Sequence, residues 1–121
     1  MKTTENQSLP SPAECQSSLK NVIDAMYVLN GRWKLPLILC LINNPKRFGE
    51  LQREMEGISP KVLSNELKSL ELNFFIERKV YPTTPVTITY EATEYTRTLK
   101  NVLSELSIWG EQHRNKLKET L

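Results

Sequence analysis

The sequence predicts a mainly α-helical chain with one small β-hairpin, and three observations carry that prediction. Apolar residues recur at steps of three and four through most of the chain. One short stretch, Val86 to Glu91, instead alternates β-branched or aromatic residues with polar ones. A serine-proline pair, Ser59-Pro60, opens an amphipathic segment that follows a short glycine turn.

Taken in order, Met1 to about Glu14 is polar and holds Pro10 and Pro12, so it reads as a flexible N-terminal arm with little to bury. A first helix is expected from about Gln16 to Leu29, with Leu19, Val22, Ile23 and Met26 on one face. Asn30-Gly31 supplies a stop able to take positive φ. The next helix, about Trp33 to Asn43, is apolar on nearly every side and reads as the central core element. Pro36 requires its start to lie close to Lys34.

Asn43-Asn44-Pro45 is a breaker. A short helix from Arg47 or Phe48 to Met55 follows, then the turn Glu56-Gly57-Ile58. Ser59 is a good N-cap because its hydroxyl can accept from a free first-turn amide, and Pro60 at the first helical position loses nothing by lacking an N–H. Leu63, Leu67 and Leu70 then make a buried stripe, while Lys61, Ser64, Asn65 and Lys68 lie opposite.

Asn73-Phe74 closes that helix, and Phe75 to Tyr81 and Val86 to Glu91 read as strands around the stiff turn Pro82-Thr83-Thr84-Pro85. A last helix is expected from about Glu94, capped by Thr93. Its seam is Tyr95, Leu99, Val102, Leu106 and Trp109, widened by Leu103. Gly110 is a candidate break before a polar tail from His113 to Leu121.

This order is the layout of a winged helix-turn-helix, spanning residues 15–121 after an arm of 1–14. In that layout the Ser59 helix enters the DNA major groove and the hairpin tip touches the backbone or minor groove. The net charge of +2 is too small to establish a nucleic-acid partner, so the case rests on placement. Lys46 and Arg47 precede the motif, Lys61 and Lys68 lie on its second helix, and Arg78 and Lys79 lie on the first strand. Ser59, Ser64, Asn65, Thr83 and Thr84 complete the candidate DNA-binding set, as short donors able to reach phosphates or base edges. The alternative is a winged helix that serves as a protein-interaction module without DNA binding.

Several function classes find no support in the residues. The chain pairs no nucleophile with a base, carries no phosphate-cradling glycine loop, and its single His113 has no ligand-spaced companions, so neither an enzyme nor a metal site nor a cofactor is expected. The longest apolar run, Leu35 to Ile42, is too short to span a bilayer. Met1 to Glu14 lacks an apolar signal region, which points to the cytoplasm and to Cys15 and Cys40 as free thiols. Cys40, within the apolar helix, is expected to be an inert buried thiol. Trp33 and Trp109 are expected to anchor a core or an interface.

The segments Gly31-Arg32-Trp33-Lys34, Pro45-Lys46-Arg47-Phe48-Gly49-Glu50-Leu51, Gly57-Ile58-Ser59 and Val80-Tyr81-Pro82-Thr83-Thr84-Pro85 resemble, in order and spacing, the HxlR family of bacterial transcriptional regulators. The resemblance covers about Cys15 to Trp109. It implies a homodimer on an inverted-repeat operator, joined through its first and last helices. Leu19, Val22, Ile23, Met26, Leu99, Val102, Leu106 and Trp109 would form that interface. The chain departs from the family pattern at Pro60, where glutamine is common, and at Ala92 to Thr96, after the second strand. Cys15 matches a cysteine found in many members, some of which sense oxidants or electrophiles, and it is the candidate redox sensor. The positive end of a helix dipole favours a thiolate there, and Glu14 beside it opposes one. The operator, the regulated genes, the sign of regulation and any small-molecule effector are not written in the sequence.

Overall fold

The computed structural model describes residues 11–121. Five α-helices and one hairpin follow in the expected order: α1 (Pro12–Leu29), α2 (Lys34–Leu41), α3 (Phe48–Glu54), α4 (Pro60–Leu72), β1 (Ile76–Tyr81), β2 (Thr87–Ala92), a 3-10 helix (Glu94–Leu99) and α5 (Lys100–Glu119). The chain divides into two compact units, Met1–Asn30 and Gly31–Leu121. None of the described helices is long and apolar enough to cross a membrane.

In the first unit, α1 begins at Pro12 rather than at Gln16. Ser11 caps it: its hydroxyl accepts from the Glu14 amide at 3.2 Å, and the Glu14 carboxylate accepts from the Ser11 amide at 2.9 Å. This reciprocal box, with Pro12 at the first helical position, starts the helix inside the stretch expected to be arm. Residues 12–14 therefore belong to the helix with Ser11 as its cap, and the rest of the expected arm lies outside the described residues. Leu19, Val22, Ile23 and Met26 are each half or more exposed along α1.

In the second unit, Leu37, Ile38 and Leu41 of α2 pack with Leu51 of α3 and Leu63, Leu67 and Leu70 of α4 into a fully buried centre. Lys34 starts α2, which keeps Pro36 in the first turn. Between α3 and α4 the chain turns through Gly57 at φ +88°, and Ile58 drops into the core. A residue with a Cβ would be strained there, so the short connection of the motif depends on this glycine.

The end of α4 is built as a Schellman motif. The Phe75 amide donates to the Leu70 carbonyl at 2.9 Å and the Phe74 amide to Glu71 at 3.1 Å. The left-handed position of that motif, where glycine is usual, is held by Phe74 at φ +69°. For an L-residue this conformation costs about 1 kcal/mol. The stop lets Phe75 and Ile76 enter the core together, so Phe75 belongs to the helix stop and β1 begins at Ile76.

β1 and β2 pair antiparallel from Ile76 opposite Ala92 to Tyr81 opposite Thr87. Lys46 adds a one-residue third strand, exchanging both backbone hydrogen bonds with Tyr90 at 3.0 and 2.7 Å. Beyond Ile76 the hairpin leaves the core. The expected inward alternation is accordingly muted, with every residue of β2 half-buried.

Thr93 sits at the expected cap position but does not cap with its side chain. Its hydroxyl instead donates to the Phe74 carbonyl at 2.6 Å, and the buried Thr96 hydroxyl donates to the Phe75 carbonyl. These two threonines satisfy the carbonyls at the α4 stop and tie it to the last helical region. The first turns of that region are 3-10, so Tyr95 lies ahead of α5. Gly110 does not break α5, which runs on to Glu119. A helical glycine costs about 1 kcal/mol against alanine, and the good helix formers around it, with the Trp109–His113 ring stack at 5.0 Å, carry the helix through. His113 is thus a helical residue stacked on Trp109 and not part of an unstructured tail.

Candidate nucleic-acid interface

α4 presents the face that the fold leaves for a ligand of this type. Ser59 caps it through its hydroxyl, which accepts from the Val62 amide at 3.1 Å. That acceptor is spent on the helix, although the hydroxyl proton is still available to a phosphate. Lys61, Asn65 and Lys68 are exposed at steps of four and three and form one stripe, with Ser64 half-buried beside it. Among the described residues, Lys61, Lys68 and Arg47 have no salt-bridge partner. The leucine stripe beneath this face sets its orientation.

The one carboxylate in the middle of α4 is turned aside. Glu66 accepts from the Lys34 ammonium at 2.8 Å, in a pair with only 13% and 20% of each side chain exposed. This pair ties the start of α2 to α4 and takes a negative charge off the exposed stripe. Sequence reasoning missed it because the partners are 32 residues apart. Lys34, the single charge in the otherwise apolar α2, was the one available signal.

Other predicted contacts are placed differently. The Lys46 ammonium holds Glu54 at 3.1 Å, which keeps the Glu54 carboxyl below the usual carboxylate range and the Lys46 ammonium above the usual lysine range. Lys79 lies 3.5 Å from Glu91 across the hairpin. Arg78 lines a groove together with Glu71, Glu77 and Glu94. Arg47 is exposed at the start of α3, where its amide donates to Glu50 at 2.8 Å.

At the wing tip, the Thr83 hydroxyl donates to the Pro85 carbonyl at 2.7 Å, so the Thr87 hydroxyl must donate to it in turn. Thr83 therefore braces the turn; both threonines are exposed, and the Thr84 hydroxyl has no hydrogen-bond partner among the described residues. Of the predicted set, Lys61, Asn65 and Lys68 share one exposed stripe on α4, Arg47 and Thr84 are exposed on other elements, and Lys46 and Lys79 are held in ion pairs with carboxylates.

The two thiols differ. Cys15 is exposed in the first turns of α1. Cys40 is half-buried on α2, less enclosed than expected. Burial pushes its thiol up, and a hydrogen bond to Glu54 with that carboxylate's charge adds to the effect, opposed in part by Lys46. Glu14 is held below the usual range by the hydrogen bonds it accepts from Ser11. Trp33 is half-buried under the Arg32 guanidinium at 4.5 Å, and Trp109 is exposed. No group of metal-ligating residues occurs among the described residues.

Residues 28–118 match the model of the HxlR-like helix-turn-helix family. The HTH-type transcriptional regulator BH0655 of Halalkalibacterium halodurans is 36% identical over 111 residues, covering 87% of this chain and 98% of that one. The HTH-type transcriptional regulator YodB of Bacillus subtilis is 40% identical over 88 residues, covering 73% and 79%. Among solved structures, the redox regulator HypR in its reduced form superposes with a TM-score of 0.76 at 32% identity, covering 82% of this chain and 98% of that one. The winged helix layout, the motif glycine and the family match over most of the chain converge: the protein belongs to the HxlR-like helix-turn-helix family of transcriptional regulators.

Proposed function

We propose that the protein acts in the cytoplasm as a homodimer on an inverted-repeat operator, reading bases with the exposed stripe of α4 and gripping phosphates with Arg47 and the wing tip. The observation that carries this reading is the α4 stripe itself: Lys61, Asn65 and Lys68 exposed over three fully buried leucines, with Glu66 drawn off by Lys34. Dimerisation is supported by the apolar residues left uncovered on two helices: Leu19, Val22, Ile23 and Met26 on α1, and Val102, Leu106 and Trp109 on α5, with Leu99 half-buried at the end of the 3-10 helix just before α5. Faces of this extent call for a partner. A second copy places two recognition helices roughly 34 Å apart, one turn of DNA.

The test is fluorescence anisotropy on the DNA upstream of the protein's own gene. Lys61→Ala and Lys68→Ala should weaken binding across all sequences and each lower the salt slope by roughly one. Asn65→Ala should instead relax sequence preference, because an Asn amide pairs with an adenine edge. Binding that ignores salt, or a preference unmoved by Asn65→Ala, would refute these roles.

A thiol response is favoured by the exposure of Cys15 beside the apolar face of α1. Solved relatives include HypR in an oxidized form and quinone-bound YodB from Bacillus subtilis. Here Cys15 would be the sensor, modified directly or bridged to a cysteine of the second copy, and Cys40 the slower thiol. Diamide or a quinone should release operator DNA from the wild type and not from Cys15→Ser. Identical behaviour of the two proteins would remove Cys15 from the mechanism.

A further inference from the structure

Phe74 is the residue whose local chemistry the DNA-binding reading leaves unexplained. It occupies a left-handed position that glycine would take without strain, yet the residue is 75% exposed and contributes little to the core. The ring forms one wall of a groove of about 590 Å3 at the junction of α4, β1 and the 3-10 helix. Tyr95 lines the groove as well, held by stacking on Phe75 with ring centroids 5.7 Å apart, and buried Ile76 lines it too. Glu71, Glu77 and Glu94 supply carboxylates against the single guanidinium of Arg78. Arg97 draws on Glu94 at 3.3 Å, while Glu71 and Glu77 have no salt-bridge partner among the described residues. The volume lies within the ordinary range for small-molecule sites. Aromatic faces beside carboxylates favour a cation with an apolar body, since both the ring quadrupole and the charge attract it.

We propose that this groove binds a hydrophobic organic cation and that its occupancy changes operator affinity. The second half rests on the DNA-binding reading above. It follows from position: the groove touches the last turn of the recognition helix and the first residues of the wing, so a ligand there bears on the angle between the two elements. An anionic ligand is disfavoured by the same carboxylates.

Calorimetry of the full chain with tetraphenylphosphonium should show one site per chain. Tetraphenylborate, of the same shape and opposite charge, should bind at least tenfold more weakly. The Glu71→Gln, Glu77→Gln double variant should lose at least tenfold in affinity for the cation. Phe74→Gly should abolish cation binding while holding or raising the thermal midpoint, a combination that a purely structural role for the ring would not produce. Equal binding of the borate, or unchanged cation binding in the double variant and in Phe74→Gly, overturns the site. In a second arm, the cation should shift operator affinity at least threefold in the wild type and not in the double variant; equal affinity with and without cation overturns the coupling. A protein that binds the cation but no DNA under any condition would instead refute the DNA-binding reading, since the calorimetric result stands without DNA.

Discussion

Leu106→Asp should convert the protein to a monomer and lower operator affinity by about a hundredfold or more, the scale lost when two linked binding events become one. The side chain is 47% exposed on the single chain, so the substitution leaves the protomer's own core intact. In the proposed dimer the same position would be buried, and an unpaired carboxylate there would cost several kcal/mol twice over, once from each copy. Analytical ultracentrifugation together with circular dichroism checks the assembly, and anisotropy checks the DNA. A helical, well-folded Leu106→Asp protein that still sediments as a dimer would place the interface elsewhere.

Leu67→Ala should cost about 3 kcal/mol of stability, in the range measured for leucine deletions at well-packed sites. The side chain is buried to 1% exposure under the centre of α4, between Leu63 and Leu70. Against a typical domain stability of about 5–15 kcal/mol, that loss is a large share of the whole. Because the same residue carries the underside of the recognition face, DNA binding should fail at lower urea concentration than in the wild type, in step with the circular dichroism signal. Val62→Ala, on the same helix but 38% exposed, should shift the urea midpoint far less. Equal midpoints for the two variants would mean that α4 is not anchored through its leucine stripe.

The readable parts of this protein are those whose cause is local. Ser59-Pro60 marks the start of α4 because the cap hydroxyl and the missing proline N–H act within one turn. Gly57 marks the motif turn because a positive φ is needed there. The leucine stripe of α4 reads directly as buried, since helical periodicity sorts apolar residues onto one face before any partner is known. The start of α1 has a local cause too, the capping box of Ser11 and Glu14 with Pro12, although two prolines and a polar composition are equally the marks of a flexible arm.

Only the tertiary structure decided which of the charges are free. Lys46 and Lys79 look the same as Lys61 and Lys68 in the sequence, and it is Glu54 and Glu91, brought close by packing, that engage the first two. Likewise the Lys34–Glu66 pair, the third-strand bridge of Lys46 to Tyr90, and the hold of Thr93 and Thr96 on the carbonyls of Phe74 and Phe75 join residues far apart along the chain. Local propensity carries no information about such partners, because each forms only when separate elements have already docked on the core. The sequence by itself thus determined the fold class, the family pattern and the amphipathic helix α4 with its exposed polar stripe. The packing determined which side chains of that face remain available, because only docked elements bring Glu54, Glu66 and Glu91 to their lysines.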